Sequence, residues 1–500
     1  MKGLFRRGLE RPEQTSKMAG TAYQIIVELK KYELLARDLE ELMAAGTFKA
    51  GERLPSVREL VSSRALSPST VFEAYNLLES RGVVEPRPRA GYFVKKRAVA
   101  APEPGISRPA AGSRPIAIND LVLQVLGSVR ERDVVPLGSA FPDPSLFPLA
   151  RIARGMGAAM RKLDPARVLR DMTPGNEELR RQLALRYVGT GTMAGIDEIV
   201  LTSGAMEALN LCLQAVTRPG DAVAIESPAF YGCLQALERL RLKAVEVATH
   251  PRHGVQLDSL AAALERHNVK ACWFMPNLQN PLGASMPAQA RKEMVELLAR
   301  RQVPLIEDDV YAELYFGVQR PAPAKSFDRQ GWVMHCSSFS KSLAPGYRLG
   351  WVAAGRFARE VERLKLMSTI SVAVPSQVAA LEFLLHGGFD RHLRQLRAKL
   401  AAQQALALRG IAKHFPAGSR ATQPDGGYFL WVELPAAIDT LELHRLALSH
   451  SISLAPGHLF SGDRRFSHHL RLNYGHPSAS QLQDALKTVG KLAAGILSQA

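Results

Sequence analysis

From residue 196 onward short apolar runs alternate with amphipathic stretches, and this alternation decides the fold class. EIVLTSG, DAVAIESP, KAVEVATH, KACWFMPN, VPLIEDDV, WVMHCSSF and RLGWVAA have the length and apolar content of strands. AMEALNLCLQAV, FYGCLQALERL, LDSLAAALERH and PAQARKEMVELLARRQ carry apolar residues at helical spacing. Alternating βα units imply an α/β fold, with a mostly parallel sheet covered by helices on both faces. After Pro375 the spacing predicts a long helix, then an α+β tail with strands in GGYFLWVELP and HHLRLNYG.

The chain changes character near residue 98. AVAAPEPGISRPAAGSRP, Ala98 to Pro115, has no apolar period and reads as a linker. It separates a small front module from a long remainder, as expected for 500 residues, which exceed what one core organises. The expected divisions are an arm over 1–24, a head over 25–97, a linker over 98–115 and a body over 116–500. Within the body a large part is expected over about 165–375 and a smaller one over about 376–500. The basic, polar start lacks the apolar stretch of a secretory signal. It reads as a disordered arm or as an over-extended start, with Met18 the alternative first residue. No apolar run approaches the roughly 20 residues that span a bilayer. The four cysteines, Cys212, Cys233, Cys272 and Cys336, form no C-x-x-C pair and read as buried thiols in a reducing cytosol. No metal is called for. A net charge of +17 suggests a polyanionic partner without naming it.

One stretch behind a predicted strand carries chemistry. SSFSKSLAPGYRLGW, Ser337 to Trp351, places Lys341 among hydroxyls, with Arg348 seven residues on. Ligands of open α/β sheets bind beyond the carboxyl ends of the strands. A desolvated lysine there can form a Schiff base with an aldehyde. Ser338, Ser340 and Arg348 offer donors to a phosphate. An aldehyde and a phosphate on one molecule point to pyridoxal 5'-phosphate (PLP). Taken alone, Lys341 also has a plainer reading, a solvated lysine in a polar turn. EDDVY, Glu307 to Tyr311, supplies a strand-end carboxylate for a pyridine nitrogen and a tyrosine for the ring hydroxyl. PNLQNPLG offers Asn280 to the same ring oxygen. LTSGAMEAL opens a helix straight after a strand, a natural anion site. SPAFYG supplies Phe230 to stack on a ring. Each also has a plain structural reading: an acidic turn, an Asn-Pro turn, a helix cap, a core phenylalanine.

In this order, SGAM, SPAFYG, NPLG, EDDVY and SFSKSLAPGYRLG resemble the fold-type I, class I/II aminotransferases over about residues 115 to 500. The resemblance implies PLP as cofactor, with Lys341 as the Schiff-base lysine and catalytic residue. It gives Asp308 the pyridine nitrogen, Asn280 and Tyr311 the ring oxygen, and Phe230 the ring face. It gives Ser338, Ser340, Arg348 and the backbone at Gly204 and Ala205 the phosphate. Arg471, in HLRLNYG, fits the arginine that clamps a substrate carboxylate. Two positions depart from the pattern. Arg170 stands where many relatives have a tyrosine that reaches the neighbouring subunit. Met206 stands where some have a glutamine donor, and a thioether cannot donate.

The front module, Tyr32 to Val94, reads as three helices and a hairpin, with Ser67 as a cap and Pro68 in the first turn of the third helix. That is the winged helix-turn-helix plan, in which the second helix of the pair enters the major groove. Arg81, Arg87, Arg89, Lys95, Lys96 and Arg97 face one acid, Glu85, along the wing. GERLPSVREL, SPSTVFEAY and RPRAGYFV resemble the GntR-type DNA-binding domain. The resemblance implies DNA contacts by Arg53, Ser56, Arg58, Ser69 and Thr70. Pro68 and Phe72 stand where several relatives have arginine, which weakens direct guanine reading and shifts specificity towards Arg64 and wing residues such as Arg87 and Arg89.

Head, linker and body together resemble the MocR subfamily of bacterial regulators. That resemblance implies a cytoplasmic homodimer, nucleoid-associated when bound to operator DNA, that senses a vitamer or amine-bearing metabolite through PLP. The rival reading is an active aminotransferase with a DNA-binding head. No residue favours a PLP lyase on this fold.

Overall fold

The structure is a computed structural model that describes residues 31–80, 83–87, 90–95, 101–110, 112–129, 133–386 and 388–499. The predicted arm over 1–24, Arg89 and the first part of the predicted linker lie outside these residues. The chain forms two compact units, 1–96 and 97–500.

In the first unit α1 (Lys31–Ala44), α2 (Val57–Arg64) and α3 (Pro68–Ser80) precede a hairpin of β1 (Val84–Arg87) and β2 (Gly91–Val94). Ser56 caps α2 in a capping box with Glu59. Ser67 accepts from the Thr70 amide at 3.2 Å and opens α3. Leu35, Leu39, Leu54, Leu60, Val71, Leu78 and Val84 share one small core. Tyr75 on α3 stacks on Tyr92 of the wing at 4.2 Å, which ties the hairpin to the helix.

The body begins with β3 (Ser113–Pro115), α4 (Asn119–Val129), β4 (Val135–Pro136), α5 (Leu149–Met160), α6 (Arg167–Arg170) and α7 (Glu177–Val188). Then come β5 (Ile199–Thr202), α8 (Ala205–Val216), β6 (Ala222–Ser227), α9 (Tyr231–Arg239), β7 (Lys243–His250), β8 (Gly254–Val255), α10 (Leu257–Arg266), β9 (Val269–Phe274), α11 (Ala288–Arg301), β10 (Leu305–Asp308), β11 (Val333–Ser338) and β12 (Gly350–Ala353). After α12 (Ala358–Ser368), α13 (Val374–His386) and the long α14 (Phe389–His414) follow β13 (Arg420–Ala421), β14 (Phe429–Glu433), α15 (Thr440–Ser449), β15 (Ile452–Ser453), β16 (Ala455–Pro456), β17 (His469–Asn473) and α16 (Ala479–Gln499).

The main sheet runs β3-β7-β6-β9-β10-β11-β12-β5. Strands β7, β6, β9, β10 and β11 are parallel, whereas β12 is antiparallel to both of its neighbours. Side chains of β6 alternate between two cores. Val223 and Ile225 pack with α8 and α9, and Ala224 packs with Leu260 and Met294 of α10 and α11. A second antiparallel sheet, β13-β14-β17-β16, belongs to the smaller part. The smaller part is not confined to residues after 376, because β4 pairs with β15 and the Asn473 amide donates to the Leu137 carbonyl at 2.7 Å.

The predicted linker needs a larger correction. Residues 101–110 and 112–115 are fastened to the body. β3 pairs with β7 along the sheet edge, and the Ser107 amide donates to the Thr249 carbonyl at 3.2 Å. The Ala421 amide donates to the Pro102 carbonyl at 2.9 Å, and Arg252 pairs with Glu103 at 2.9 Å. Proline-rich composition reports a lack of periodicity, but not where the backbone hydrogen bonds go. All four cysteines are free and buried. Among the described residues no helix is long and apolar enough to cross a membrane.

Candidate functional site

Five chain segments deliver the predicted residues to one edge of the main sheet. Phe230 lies just past β6, Asn280 past β9 and Tyr311 past β10, while Asp308 ends β10 and Ser338 ends β11. β5 runs parallel to β11 through two antiparallel steps, so Gly204, just past β5, reaches the same edge.

Lys341 lies in the loop after β11. Its Nζ donates to the Ala140 carbonyl at 2.8 Å and sits 3.6 Å from the centre of the Phe141 ring. Burial pushes this amine down to about 7; the charges of Arg471 and Arg348 add to that, and Asp308 opposes it. Burial likewise raises the Asp308 carboxyl to about 7, helped by neighbouring Asp309. Asp308 Oδ1 is buried without a hydrogen-bond partner. A buried carboxylate oxygen with a free lone pair is unusual, and it suits an N–H arriving from a ligand.

Asn280 Nδ2 is 3.5 Å from the Tyr311 hydroxyl, and Asn280 Oδ1 accepts from Arg471 Nη1 at 3.0 Å. Arg471 is fully buried on β17, with Phe429 4.1 Å beneath its guanidinium. Its Nη2 donates to the carbonyls of Gly138 and Ser139 at 2.9 and 3.2 Å, and its Nε has no partner.

The anion cradle is built from Gly204, Ala205, Ser338, Ser340 and Arg348. Gly204, with φ of 91°, precedes Ala205 at the start of α8. Arg348 Nη1 donates to Ser340 Oγ at 3.1 Å, and the Ser340 amide donates to Ser338 Oγ at 3.3 Å. A Cβ on Gly204 would meet Arg348 Nη2 at 2.4 Å. On Gly350 it would meet the Gly204 carbonyl carbon at 2.6 Å and the Ala205 amide at 2.8 Å. Two glycines therefore leave the helix start open to an anion and let the guanidinium lie over it. Gly232 does the same for Phe230, whose Cε1 would lie 2.5 Å from an added Cβ.

Sequence reasoning missed the segment Gly138–Phe141. It touches both Lys341 and Arg471, and it is held by Tyr428 and Asn473, whose side chains donate to the Ala140 and Ser139 carbonyls at 3.1 and 3.0 Å. Its contacts with Arg471 use carbonyls, which every residue has, so LGSAF carries no side-chain signal for them. Gly350 was likewise unassigned. Arg170 is exposed on α6 and pairs with exposed Asp164 at 2.6 Å, a contact worth roughly 0–1 kcal/mol. Met206 is half-buried against the core.

On the head, Arg53 forms an isolated bridge to Phe93, its side chain lies against Gly91, and Arg58 is exposed on α2. The Ser56 hydroxyl is occupied in capping, and Ser69 and Thr70 share hydrogen bonds of 2.9 and 2.8 Å with Ser67. Arg64 pairs with Asp38 at 3.2 Å, and Arg87 pairs with Glu85 at 2.9 Å while covering the Phe93 ring at 4.2 Å. Arg64 and Arg87, two of the arginines expected to carry specificity, are thus partly committed within the head.

A lysine, a partnerless strand-end carboxylate and a helix-start cradle at one sheet edge define the body as a class I/II aminotransferase-type unit, preceded here by a winged head. Residues 161–489 match the family described as aminotransferase class I and II, and residues 31–94 match the bacterial regulatory proteins of the gntR family. The chain belongs to the GntR-type transcription regulators that carry an aminotransferase-like body, the MocR type. It is 46% identical to the HTH-type transcriptional regulator YdcR of Escherichia coli, over 93% of this chain and 99% of that protein. It is 37% identical to the HTH-type regulator YjiR of the same organism, over 93% and 98%. Among solved structures, the multiple substrate aminotransferase of Thermococcus profundus is similar at 26% identity and a TM-score of 0.70, over 76% of this chain and 96% of that one. The aminotransferase class I/II fold family is PLP-dependent.

Proposed function

We propose that this regulator holds PLP through Lys341 and reports an amino compound to its DNA-binding head. One observation carries the reading: a desolvated lysine, a partnerless carboxylate oxygen and a cradle closed to any Cβ meet at one sheet edge. In this site PLP would supply an aldehyde that condenses with amines and a ring that withdraws electrons. Lys341 would hold the aldehyde carbon. Asp308 Oδ1 would accept the pyridine N–H, Asn280 and Tyr311 would donate to the ring oxygen, and Phe230 would pack on the ring face. Ser338, Ser340, Arg348 and the amides at Gly204 and Ala205 would bind the phosphate. Arg471, buried and forked, would take the carboxylate of an amino compound in exchange for the Gly138 and Ser139 carbonyls.

A second copy of the chain is part of this proposal. Val168 and Leu169 on α6 and Leu366, Met367 and Ile370 at the end of α12 are exposed, and Thr173 donates to the Ile370 carbonyl beside them. This apolar surface suits a homodimer partner. Two heads would then engage paired half-sites, and an effector bound better by one arrangement of the dimer would shift DNA affinity.

The test is DNA binding by the full chain, first without PLP, then with PLP, then with PLP and single amino compounds. A change of affinity with one compound and no release of keto acid supports the sensor. Steady keto acid release with DNA affinity unchanged by any compound sinks it.

The amine of Lys341 must be neutral to attack an aldehyde. With its proton lost near 7 rather than near the ordinary 10.5, the rate of PLP capture should rise through neutral pH and level off by about pH 8. Borohydride trapping at timed intervals across pH 5.5–10.5 measures it. A rate still climbing at pH 10 would place Lys341 in a solvated site.

A further inference from the structure

We propose that Phe72 reads the C5-methyl group of a thymine in the major groove, one per half-site. The inference rests on the DNA-binding reading of the head and adds a specificity determinant to it. Helix α3 buries Val71, Ala74, Tyr75 and Leu78, so its opposite face presents Ser69, Phe72, Glu73 and Asn76 at helical spacing. Phe72 is 49% exposed and is the only exposed aromatic side chain among the described head residues. It stands on the fifth residue of α3, in the N-terminal half that enters a groove.

The chemistry of this face narrows what it can read. PSTVFEAYNLLES contains neither lysine nor arginine, so α3 cannot make the bidentate contact that reads guanine. The hydroxyls of Ser69 and Thr70 already share hydrogen bonds with Ser67. The largest group left for the groove is an apolar ring. Among the base edges of the major groove, only thymine presents an apolar group, its methyl. Positive charge lies elsewhere, on Arg53 before α2 and on Arg58 within it, where it suits phosphates that flank the groove. The head therefore divides the work: arginines set the register, and Phe72 recognises a base.

The test begins with duplexes selected from a random pool by the full-length protein at about 0.15 M salt. A selected duplex is resynthesised with deoxyuridine in place of each thymine in turn, which removes only the methyl. One position per half-site should weaken the wild-type chain roughly fourfold, the worth of one buried methyl. Phe72→Ala should bind the thymine and deoxyuridine duplexes equally, and Phe72→Leu should retain part of the difference. If no deoxyuridine position affects the wild type, or if Phe72→Ala keeps the full difference, the assignment is wrong. If the wild type selects no duplex at all, the DNA-binding reading falls first and this inference with it.

Discussion

Replacing Lys341 with alanine should abolish covalent capture of PLP. After incubation with PLP and borohydride reduction, the wild-type chain should gain one reduced adduct, located on the peptide containing Lys341. The variant should gain none at this site. The specificity comes from the surroundings of the amine. Other lysines are mostly exposed, whereas burial leaves about half of the Lys341 amine neutral at pH 7. The cradle at Gly204, Ser338, Ser340 and Arg348 remains in the variant, so reversible binding through the phosphate should survive in weakened form. The fold should survive too. Removing a buried amine removes a group that is costly to desolvate, and the Ala140 carbonyl keeps the Tyr428 hydroxyl as a donor. An unchanged melting temperature with no adduct is the expected pair of results. An equal adduct on both chains would remove the cofactor assignment.

Arg58→Ala should weaken DNA binding by about tenfold per head, and so by about a hundredfold for a two-headed complex. Arg58 is exposed on α2 and has no ion-pair partner among the described residues, so its charge is uncommitted. Arg64→Ala and Arg87→Ala should cost less, because Asp38 and Glu85 already neutralise part of those charges. The slope of log affinity against log salt should fall by about one for each phosphate left without its arginine. PLP capture should not change. Binding isotherms between about 50 and 200 mM salt measure both quantities. Equal losses for Arg58, Arg64 and Arg87 would mean that the ion pairs within the head open on DNA, and no loss for Arg58 would displace α2 from the interface.

What could be read from the sequence was whatever side chains encode. The strand–helix alternation announced the main sheet, and strand ends placed Asp308, Ser338 and Lys341 on one edge of it. Ser67 and Pro68 announced the start of α3. Features built from backbone stayed hidden. The carbonyls of Gly138–Phe141 meet Arg471 and Lys341 through atoms common to every residue. Gly350 opens the cradle by what it lacks. The charge of Arg64 looked free because its acidic partner, Asp38, meets it only once α1 has folded against α2. The stretch before residue 116 looked loose because its hydrogen bonds go to residues more than a hundred positions away.

That stretch crosses from one part of the body to the other. On one side Ser107 and β3 are sewn to β7 and its flank in the large sheet. On the other, Pro102 and Glu103 accept from the amides of Ala421 and Gln423, the Arg108 carbonyl accepts from Arg465 at 3.0 Å, and Arg114 pairs with Asp463 at 2.9 Å. It is a belt buckled to both parts of the body. Any sliding of the small part over the large one, by even an ångström, must stretch the belt or undo a buckle. Cutting single buckles such as Glu103 or Arg114 would show how firmly the belt holds the two parts of the body together.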